Sequence, residues 1–305
     1  MQTVLSAIYK TLREHEYVVV PGLGGFTLQT LSATQTSGHV FRPASKIPSF
    51  NPLLIQDAEK YGKPDVVVWY EDPYLKSLRQ LQSGQGFQFT HPKKYLSQYN
   101  ITAPIETTKH HESHAAGGYF TSRFDEAAIL VIDAIGEFDT TTIWHGKGTK
   151  LEKKFSIKYP DSLGLWYSAM TQRVGLKPNE EEYILMGMAA YGDPLKYTPM
   201  ILEDFFDTKH TLKLHHNLHR GCSWWRPELS TEQDKYDIAA ATQFIYELMF
   251  HDLLDETKKL TGCSNLVLAG GCALNCSANS IAFQYFQNVW IMPNPGDAGN
   301  SLGAI

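Results

Sequence analysis

The spacing of apolar residues predicts strands and helices in alternation from about residue 60 onward. The nearly continuous apolar run EAAILVID (126–133) is typical of a strand covered on both faces. SLGLWYSAMTQRVG (162–175) and a long stretch over roughly 232–261 have helical spacing. Alternation of this kind favours an α/β architecture. The same analysis predicts a buried strand at 64–70, further strands at 104–108, 140–146, 150–159, 265–269 and 288–292, and helices at 74–81, 111–124 and 179–192.

The N-terminal segment has a different pattern. Residues 1–16 predict an amphipathic helix whose apolar face includes Val4, Ile8 and Leu12. EYVVVPGLGGFTLQ then predicts a strand, a glycine-rich turn and a second strand. The three prolines of FRPASKIPSFNP disfavour a long regular element. These differences predict a small α+β module over positions 1–54 and a larger α/β domain over positions 55–305.

Composition narrows the class of protein. The chain is 43% hydrophobic and 19% charged. Such a balance supports a sizeable core. The net charge of -5 argues against a chain that coats nucleic acid by charge alone. No apolar run approaches the roughly 18–20 residues that cross a bilayer, and the N-terminus lacks a signal-peptide pattern. We therefore expect a cytoplasmic protein without membrane contact.

Four cysteines predict no disulfide framework, which agrees with a reducing compartment. Cys272 and Cys276 are most simply interpreted as small buried hydrophobic residues. The chain stops at Ile305, where the pattern NSLGAI predicts only the beginning of a helix. We interpret this as truncation, or as a fragment of a longer protein.

The segment HHESH is a candidate metal site. His110 and His114 are four residues apart and would share one helix face, where two imidazoles can bind one divalent cation. His111 would point about 100° away. Paired histidines are also common as packing or surface residues, and two ligands do not complete a site.

Two aspartates follow apolar strands. Asp133 ends EAAILVID, at the position where α/β sheets build their sites, although it could equally cap the following turn. Asp297 lies between the strand VWIM and a helix start, so it is either an N-cap or a further oxygen ligand.

Glycine-rich turns follow the same strands. Gly136, and Gly270 with Gly271, could present backbone amides to a phosphate, while an ordinary strand–helix turn is the simpler interpretation. Glu182 opens a predicted helix, where an acidic residue is favourable on electrostatic grounds alone, but it could also face a site.

Taken together, these segments resemble the NodU/TobZ-type carbamoyltransferases over residues 63–305. The matching segments occur in family order: HHESHAAGGYF, AAILVIDAIGEFDTT, SLGLWYSAMT, EEYILMGMAAYG, LVLAGGCALNCSAN and NPGDAGNSLGA. The larger domain of that family is Kae1-like and has the actin/sugar-kinase/Hsp70-like fold, two α/β halves around a nucleotide cleft. The resemblance therefore implies an incomplete version of that fold.

The resemblance also implies a metal site and a reaction. The residues that bind a divalent metal in the family, often iron, correspond to His110, His114, Asp133 and Asp297. The implied reaction is O-carbamoyl transfer. Carbamoyl phosphate and ATP give carbamoyl-adenylate, and the carbamoyl group then passes to a hydroxyl of a small metabolite.

Further roles follow from the same resemblance. Gly270, Gly271 and Asn275 match the segment that meets the adenosine, and Gly136 lies in the turn after the metal-binding aspartate. Glu182 matches a family acidic residue, which we take together with Asp133 as catalytic.

The sequence departs from the family in three ways. Ala134 stands where glycine is usual after the metal-binding aspartate, and its Cβ would crowd a phosphate. The first strand and hairpin have no counterpart, and neither has the C-terminal YrdC-like domain that forms the adenylate. We therefore expect this chain to need a separate YrdC-like domain or protein.

Residues 1–54 resemble the HU-like domains of Bacteroidetes. The arm segment TLSATQTSGHVF contains no Lys or Arg, so we expect only weak DNA binding through this module. The alternatives to an incomplete carbamoyltransferase are an HU-like nucleic-acid-binding or interaction module on a catalytically inactive nucleotide-binding scaffold, or a relative of the tRNA threonylcarbamoyl transferases.

Overall fold

The computed structural model of the 305-residue chain describes two compact units. The first comprises the described parts of residues 1–69 and 90–106, and the second those of residues 70–89 and 107–304. The described residues are 17–20, 24–31, 34–36, 40–42, 45–49, 66–83, 92–97, 101–207 and 212–304. The division predicted between positions 54 and 55 stays a prediction.

The first unit contains short β-strands. The predicted strand–turn–strand is present, because β1 and β2 pair antiparallel with Val18 opposite Phe26. The proline-containing segment adds the short strand β5, which pairs with β2. The predicted helix over residues 1–16 lies outside the described residues. The strands are β1 (Tyr17–Val20), β2 (Gly24–Leu31), β3 (Thr34–Thr36), β4 (Val40–Arg42) and β5 (Ser45–Ser49).

Two further strands, β6 (Val67–Trp69) and β7 (Ile105–Thr107), form a two-stranded sheet. Between them in the sequence lie the helices α1 (Pro73–Gln82) and α2 (Pro92–Ser97). The prediction of a buried strand at 64–70 is wrong. The residues of β6 are only half-buried and Val66 is exposed. A two-stranded sheet leaves much of its surface uncovered, which explains this exposure.

The second unit is built around a five-stranded sheet in the order β10-β9-β8-β11-β12. β9 runs antiparallel to β8 and β10, whereas β11 is parallel to β8 and β12. Because β8, β11 and β12 are parallel, their carboxyl ends lie at one edge of the sheet, where α/β proteins place their sites. The strands are β8 (Glu126–Ile132), β9 (Asp139–Lys147), β10 (Lys150–Lys158), β11 (Asn265–Ala269) and β12 (Asn288–Ile291).

In the second unit the longer helices lie near the predicted positions, except that α6 was not predicted; α2, earlier in the sequence, was not predicted either. Pro199 lies inside α6, and the apolar pattern there did not predict a helix. The longest helix, α7, begins with a capping box of Thr231 and Asp234 and ends at Gly262, which has a positive φ of 67°. The helices are α3 (His110–Thr121), α4 (Leu163–Arg173), α5 (Glu182–Met188), α6 (Pro194–Phe205), α7 (Glu232–Thr261), α8 (Cys276–Asn279) and α9 (Ser301–Ala304).

Both faces of β8 are covered, as its apolar sequence predicted. Residues of α4 and α7 pack into the larger core on one face, with Ala128, Leu130 and Ile132. Residues of α3 pack on the other face, with Ala127, Ile129 and Val131. Because side chains alternate along a strand, Asp133 continues the face beneath α3. A sheet with both parallel and antiparallel strand pairs, covered by helices on both faces, confirms the predicted α/β class.

The cysteines and the absence of a membrane-spanning helix were also subjects of sequence predictions. All four cysteines are free, as predicted, but of the two predicted to be buried Cys272 is half-buried and Cys276 is exposed. Within the described ranges, no helix combines the length and the apolar character needed to cross a membrane.

Candidate metal centre

The first turn of α3 places two histidines under the carboxyl edge of the sheet. His110 and His114 are 2% and 1% exposed, so the helix face they share is buried. The backbone amide of His110 donates to Glu137 Oε1 at 3.0 Å. This bond satisfies one of the amides that a helix leaves unpaired at its N-terminus. The side chain of Lys109, the residue before the helix, makes no capping hydrogen bond.

The carboxylate of Asp133 contacts both of these histidines. Its Oδ1 accepts a hydrogen bond from the Ala134 amide at 2.7 Å, which orients the carboxylate. The other oxygen, Oδ2, lies 2.9 Å from His110 Nε2 and 3.2 Å from His114 Nε2. Asp133 therefore faces the histidine pair. It also makes the turn-capping contact to Ala134, so both of the alternatives that the sequence left open are present.

Asp297 completes the cluster from the far end of the sequence. It is the first residue of a short 3₁₀ helix, Asp297–Gly299, and the preceding Gly296 occupies the N-cap position. Its Oδ1 lies 3.3 Å from Nε2 of both His110 and His114. Its side chain remains 59% exposed, so this corner of the cluster opens to solvent.

The cluster strongly perturbs proton binding. Burial acts to lower the pKa of His110, but the hydrogen bonds to Asp133 and Asp297 outweigh it and raise the pKa to about 10. The pKa of His114 is raised by the same balance. Burial opposes the ionised forms of Asp133 and Asp297, yet the two imidazoles hold the pKa of both carboxyls below the usual range.

The geometry and the donor set both fit one divalent cation. The four candidate ligand atoms lie within 4.8 Å of one another, and the two Nε2 atoms are 3.1 Å apart. Ligands bound at about 2.1 Å in tetrahedral or octahedral geometry would be about 3.0–3.4 Å apart. Two imidazoles and two carboxylates suit a borderline ion such as Fe²⁺ or Zn²⁺. The assignment of a metal to these residues remains a prediction.

His111 does not join the cluster. Its Nδ1 lies 3.0 Å from Thr142 Oγ1, and burial lowers its pKa to about 3. This agrees with the helical spacing, which turns His111 away from the other two histidines.

The Gly270–Gly271 turn borders the same cluster. Gly270 has a φ of +87°, and a Cβ there would come within 2.3 Å of the Ile132 carbonyl oxygen. A Cβ on Gly271 would lie 3.1 Å from Asp133 Oδ1. The amide of Gly270 donates to the Pro295 carbonyl at 2.9 Å, which ties this turn to the loop that carries Asp297.

The segment after this turn differs from the predicted helix start. It forms the 3₁₀ helix Gly271–Leu274 and then the single turn α8. Since a macrodipole grows from many aligned peptides, these short helices can supply only a small part of the anticipated anion-binding dipole.

Asn275 belongs to a buried polar network that sequence patterns did not reveal. Its side chain caps α8 by accepting from the Ala278 amide at 3.1 Å. It also exchanges hydrogen bonds of 3.0 and 3.1 Å with the side-chain amide of Gln243, whose oxygen accepts from Tyr167 at 2.8 Å. Gln243 and Tyr167 lie within apolar helical stretches, so nothing in their spacing marks them.

Two other predicted site residues have local partners. A Cβ on Gly136 would contact His110 and His111 at 3.0–3.2 Å, and the amide of Gly136 donates to the Asp139 carbonyl. Glu182 begins α5 and accepts from Ser168 Oγ at 2.7 Å. Among the described residues, the metal-ligand cluster does not include Glu182.

Glu137 is the clearest residue missed by sequence analysis. It is 6% exposed and accepts from the amides of both His110 and Asp72, so it joins the starts of α1 and α3. Its place in the motif DAIGE, one residue after Gly136, was the available signal.

Comparison with known proteins identifies the family to which this chain belongs. The N-terminal domain of carbamoyltransferases matches residues 70–305, which is most of the chain. The protein therefore belongs to the carbamoyltransferase family. Residues 1–57 match a CCDC81-like prokaryotic HU domain, which agrees with the predicted N-terminal module.

Several relatives support this assignment. A Synechocystis protein, sll1178, is 41% identical over 221 residues, covering 66% of this chain and 36% of its own. Nodulation protein NolNO of Sinorhizobium fredii is 31% identical over 209 residues, covering 66% and 30%. Nodulation protein NolO of Bradyrhizobium diazoefficiens is 30% identical over 203 residues, covering 64% and 37%. The chain thus spans about a third of the length of these relatives.

Solved structures similar to this one include two HypF proteins. Full-length HypF in its phosphate- and nucleotide-bound form is 15% identical with a TM-score of 0.44, covering 92% of this chain and 45% of HypF. HypF of T. kodakarensis is 12% identical with a TM-score of 0.42, covering 86% and 45%.

Proposed function

We propose that this chain carries the carbamoyl-transferring site of a metal-dependent O-carbamoyltransferase. The observation that supports this most directly is a convergence of four ligand-type side chains, next to a glycine turn, in a member of the carbamoyltransferase family. The four residues are His110, His114, Asp133 and Asp297. The proposed donor is carbamoyl-adenylate, and the proposed acceptor is a hydroxyl of a small metabolite.

The proposed cation, with iron as the first candidate, would be held by four side chains of unequal solvent exposure. His110, His114 and Asp133 are buried and oriented by neighbouring elements, whereas Asp297 borders solvent. Substrate would therefore approach from the Asp297 side. When bound, a divalent cation acts as a Lewis acid that polarises a carbonyl group or orients an attacking oxygen.

The Gly270–Gly271 turn is the proposed boundary of the adenylate pocket. The absence of side chains lets the turn lie against the end of β8, because a Cβ on Gly270 would come within 2.3 Å of the Ile132 carbonyl oxygen and one on Gly271 would lie 3.1 Å from Asp133 Oδ1. The backbone of the turn therefore runs directly beside the cluster. Asn275 lies a few residues further on and is held by Gln243. Gly136 lies against His110 and His111, so its proposed contribution to cofactor binding is indirect.

In the proposed step, a bond forms between the acceptor oxygen and the carbamoyl carbon, and the bond from that carbon to the phosphate oxygen breaks. AMP leaves, and its phosphate takes up the proton that the acceptor hydroxyl loses. Asp133 is the proposed catalytic carboxylate because its Oδ2 lies 2.9 Å and 3.2 Å from the two imidazole Nε2 atoms. A catalytic role for Glu182 is supported by family resemblance, while its contacts in the structure are to Ser168 and Asn179.

Formation of the adenylate from carbamoyl phosphate and ATP is assigned to a YrdC-like domain or protein outside this chain. This agrees with the fact that the chain spans about a third of its relatives. A reducing cytoplasm is part of the proposal, since the four cysteines are all free.

The test supplies the purified chain with ATP, labelled carbamoyl phosphate, a YrdC-like protein and a mixture of hydroxylated metabolites. We expect labelled product from the unaltered chain and none from His110→Ala or Asp297→Ala, both of which should also lose bound metal. The matched control is Glu112→Ala, an exposed position on the same helix. Turnover by both metal-free variants would overturn the proposal.

A further inference from the structure

A second group of metal-ligating side chains lies in the same unit, and the proposed function does not use it. Glu126, His145 and Cys263 each offer one ligand atom, and these three atoms lie within 4.8 Å of one another. His145 Nε2 is 2.9 Å from Glu126 Oε1. The group combines a carboxylate oxygen, an imidazole nitrogen and a thiol sulfur, which are the donor types of zinc sites.

Sheet register explains why these residues meet. His145 of β9 is directly opposite Ala128 of β8, so these two side chains lie on the same face of the sheet. Glu126 is two residues before Ala128 on β8 and therefore shares that face. Cys263 follows Gly262, whose left-handed conformation ends α7 and turns the chain toward β11. Cys263 packs with the core on the same face of the sheet.

We propose that Glu126, His145 and Cys263 form a second, separate site for a thiophilic divalent cation of the Zn²⁺ class. Three protein ligands leave a fourth tetrahedral position for water. The site would clip β8 and β9 to the loop that connects α7 with β11.

The two sites lie at opposite ends of one strand. Glu126 begins β8, and Asp133 directly follows its end. Seven steps along a strand place these residues roughly 20 Å apart. They also lie on opposite faces, because Glu126 shares the face of Ala128 and Asp133 that of Ala127. The first cluster contains no sulfur, so the sites differ in chemistry as well as position.

The competing interpretation is an ordinary surface ion pair beside a packed cysteine. Lys147 Nζ lies 3.3 Å from Glu126 Oε1 and would oppose a cation there. Lys147 is 71% exposed, however, and can swing away when a cation arrives. Burial raises the pKa of Cys263, so its thiol keeps its proton until a cation displaces it.

Cobalt(II) distinguishes the two interpretations, because a thiolate ligand produces an intense near-ultraviolet charge-transfer band that nitrogen and oxygen ligands do not. The full chain is stripped with a chelator and titrated with Co²⁺, first unaltered and then as His110→Ala/Asp297→Ala. We expect the thiolate band to saturate with one equivalent in that double variant. Absence of the band would overturn the proposal.

Matched variants locate the band. Cys263→Ser should abolish it and Cys276→Ser, at an exposed cysteine, should leave it unchanged. His145→Ala and Glu126→Gln should weaken Co²⁺ binding by about tenfold or more, while Lys147→Gln should tighten it roughly two- to tenfold by removing a like charge. A band that survives Cys263→Ser would assign it to another thiol and refute the site. Since the side chains of Glu126 and Lys147 border solvent, their variants keep the test decisive even if Cys263→Ser fails to fold.

Discussion

The carboxylate of Glu137 accepts a hydrogen bond from the backbone amide of His110 at 3.0 Å and thereby holds the residue that begins α3. The same oxygen accepts from the Asp72 amide at 2.7 Å. Among the described residues, the metal-ligand cluster does not include Glu137. Glu137 is therefore a positioning residue, whose effect on the cluster must pass through the backbone of α3.

Replacing Glu137 by alanine should weaken metal binding without removing a ligand. We expect the affinity for Co²⁺ at the histidine cluster to fall about 10- to 100-fold, because α3 loses the contact that orients His110. Isothermal titration of the metal-stripped chain measures this. Glu112→Ala, on the exposed side of α3, is the control and should change nothing. Equal affinities for the two variants would contradict a positioning role.

Metal binding at the histidine cluster should strengthen as pH rises. The pKa of His110 is raised to about 10, so at neutral pH its imidazole keeps a proton that a cation must displace. Affinity should therefore increase up to about tenfold per pH unit for each proton released, between about pH 6 and about pH 9. Calorimetry in two buffers of different ionisation enthalpy counts those protons. An affinity that stays constant over this range would show that no proton is displaced.

A methyl group at Gly271 should disturb the cluster more than the fold. Its Cβ would lie 3.1 Å from Asp133 Oδ1, so the carboxylate must move by a few tenths of an ångström. We expect Gly271→Ala to lower Co²⁺ affinity about tenfold while changing the free energy of unfolding by about 1 kcal/mol or less.

The matched control for that substitution is Gly187→Ala. Gly187 lies inside α5, and a Cβ there would meet nothing within 4 Å. Alanine should therefore stabilise the chain by about 0.5–1 kcal/mol, as in an ordinary helix interior, and leave metal binding unchanged. If both alanine variants bound Co²⁺ like the unaltered chain, the close approach of Gly271 to Asp133 would have no consequence for the site.

Gln243 should matter for stability through its partners. Gln243→Met keeps the approximate shape but leaves the Tyr167 hydroxyl and the Asn275 amide without their buried partner. Stranding such groups costs about 1–3 kcal/mol in the free energy of unfolding. Urea denaturation measures the change.

Gln233→Met is the matched control, at an exposed position of the same helix. Gln233 donates to Asp237, whose carboxylate keeps Lys196 and the Asp193 amide as partners when Gln233 is replaced. The control should therefore cost roughly 0.5 kcal/mol or less. Similar losses of stability for both variants would contradict the importance of the Gln243 network.

Local patterns predicted most elements of the second unit because their causes are local. The continuous apolar residues of β8 and the capped, 30-residue α7 are examples in which burial and capping are visible in the sequence. β6 shows the limit of that approach. Its valines predicted a buried strand, but burial depends on what covers a strand, and among the described strands β6 pairs with β7 alone.

Helical spacing was enough to pair His110 with His114, because residues four apart on a helix lie on one face. Apolar runs likewise located Asp133 and Asp297 after strands. Whether these carboxylates meet the histidines depended on the assembled sheet. Asp297 lies 183 residues beyond His114, and the two come together because β8, β11 and β12 are neighbouring parallel strands whose carboxyl ends share one edge. Packing also brought Glu137, which local spacing did not mark, to the backbone amide of His110. Contacts between distant segments depend on how whole elements assemble, and short-range spacing carries no information about that assembly.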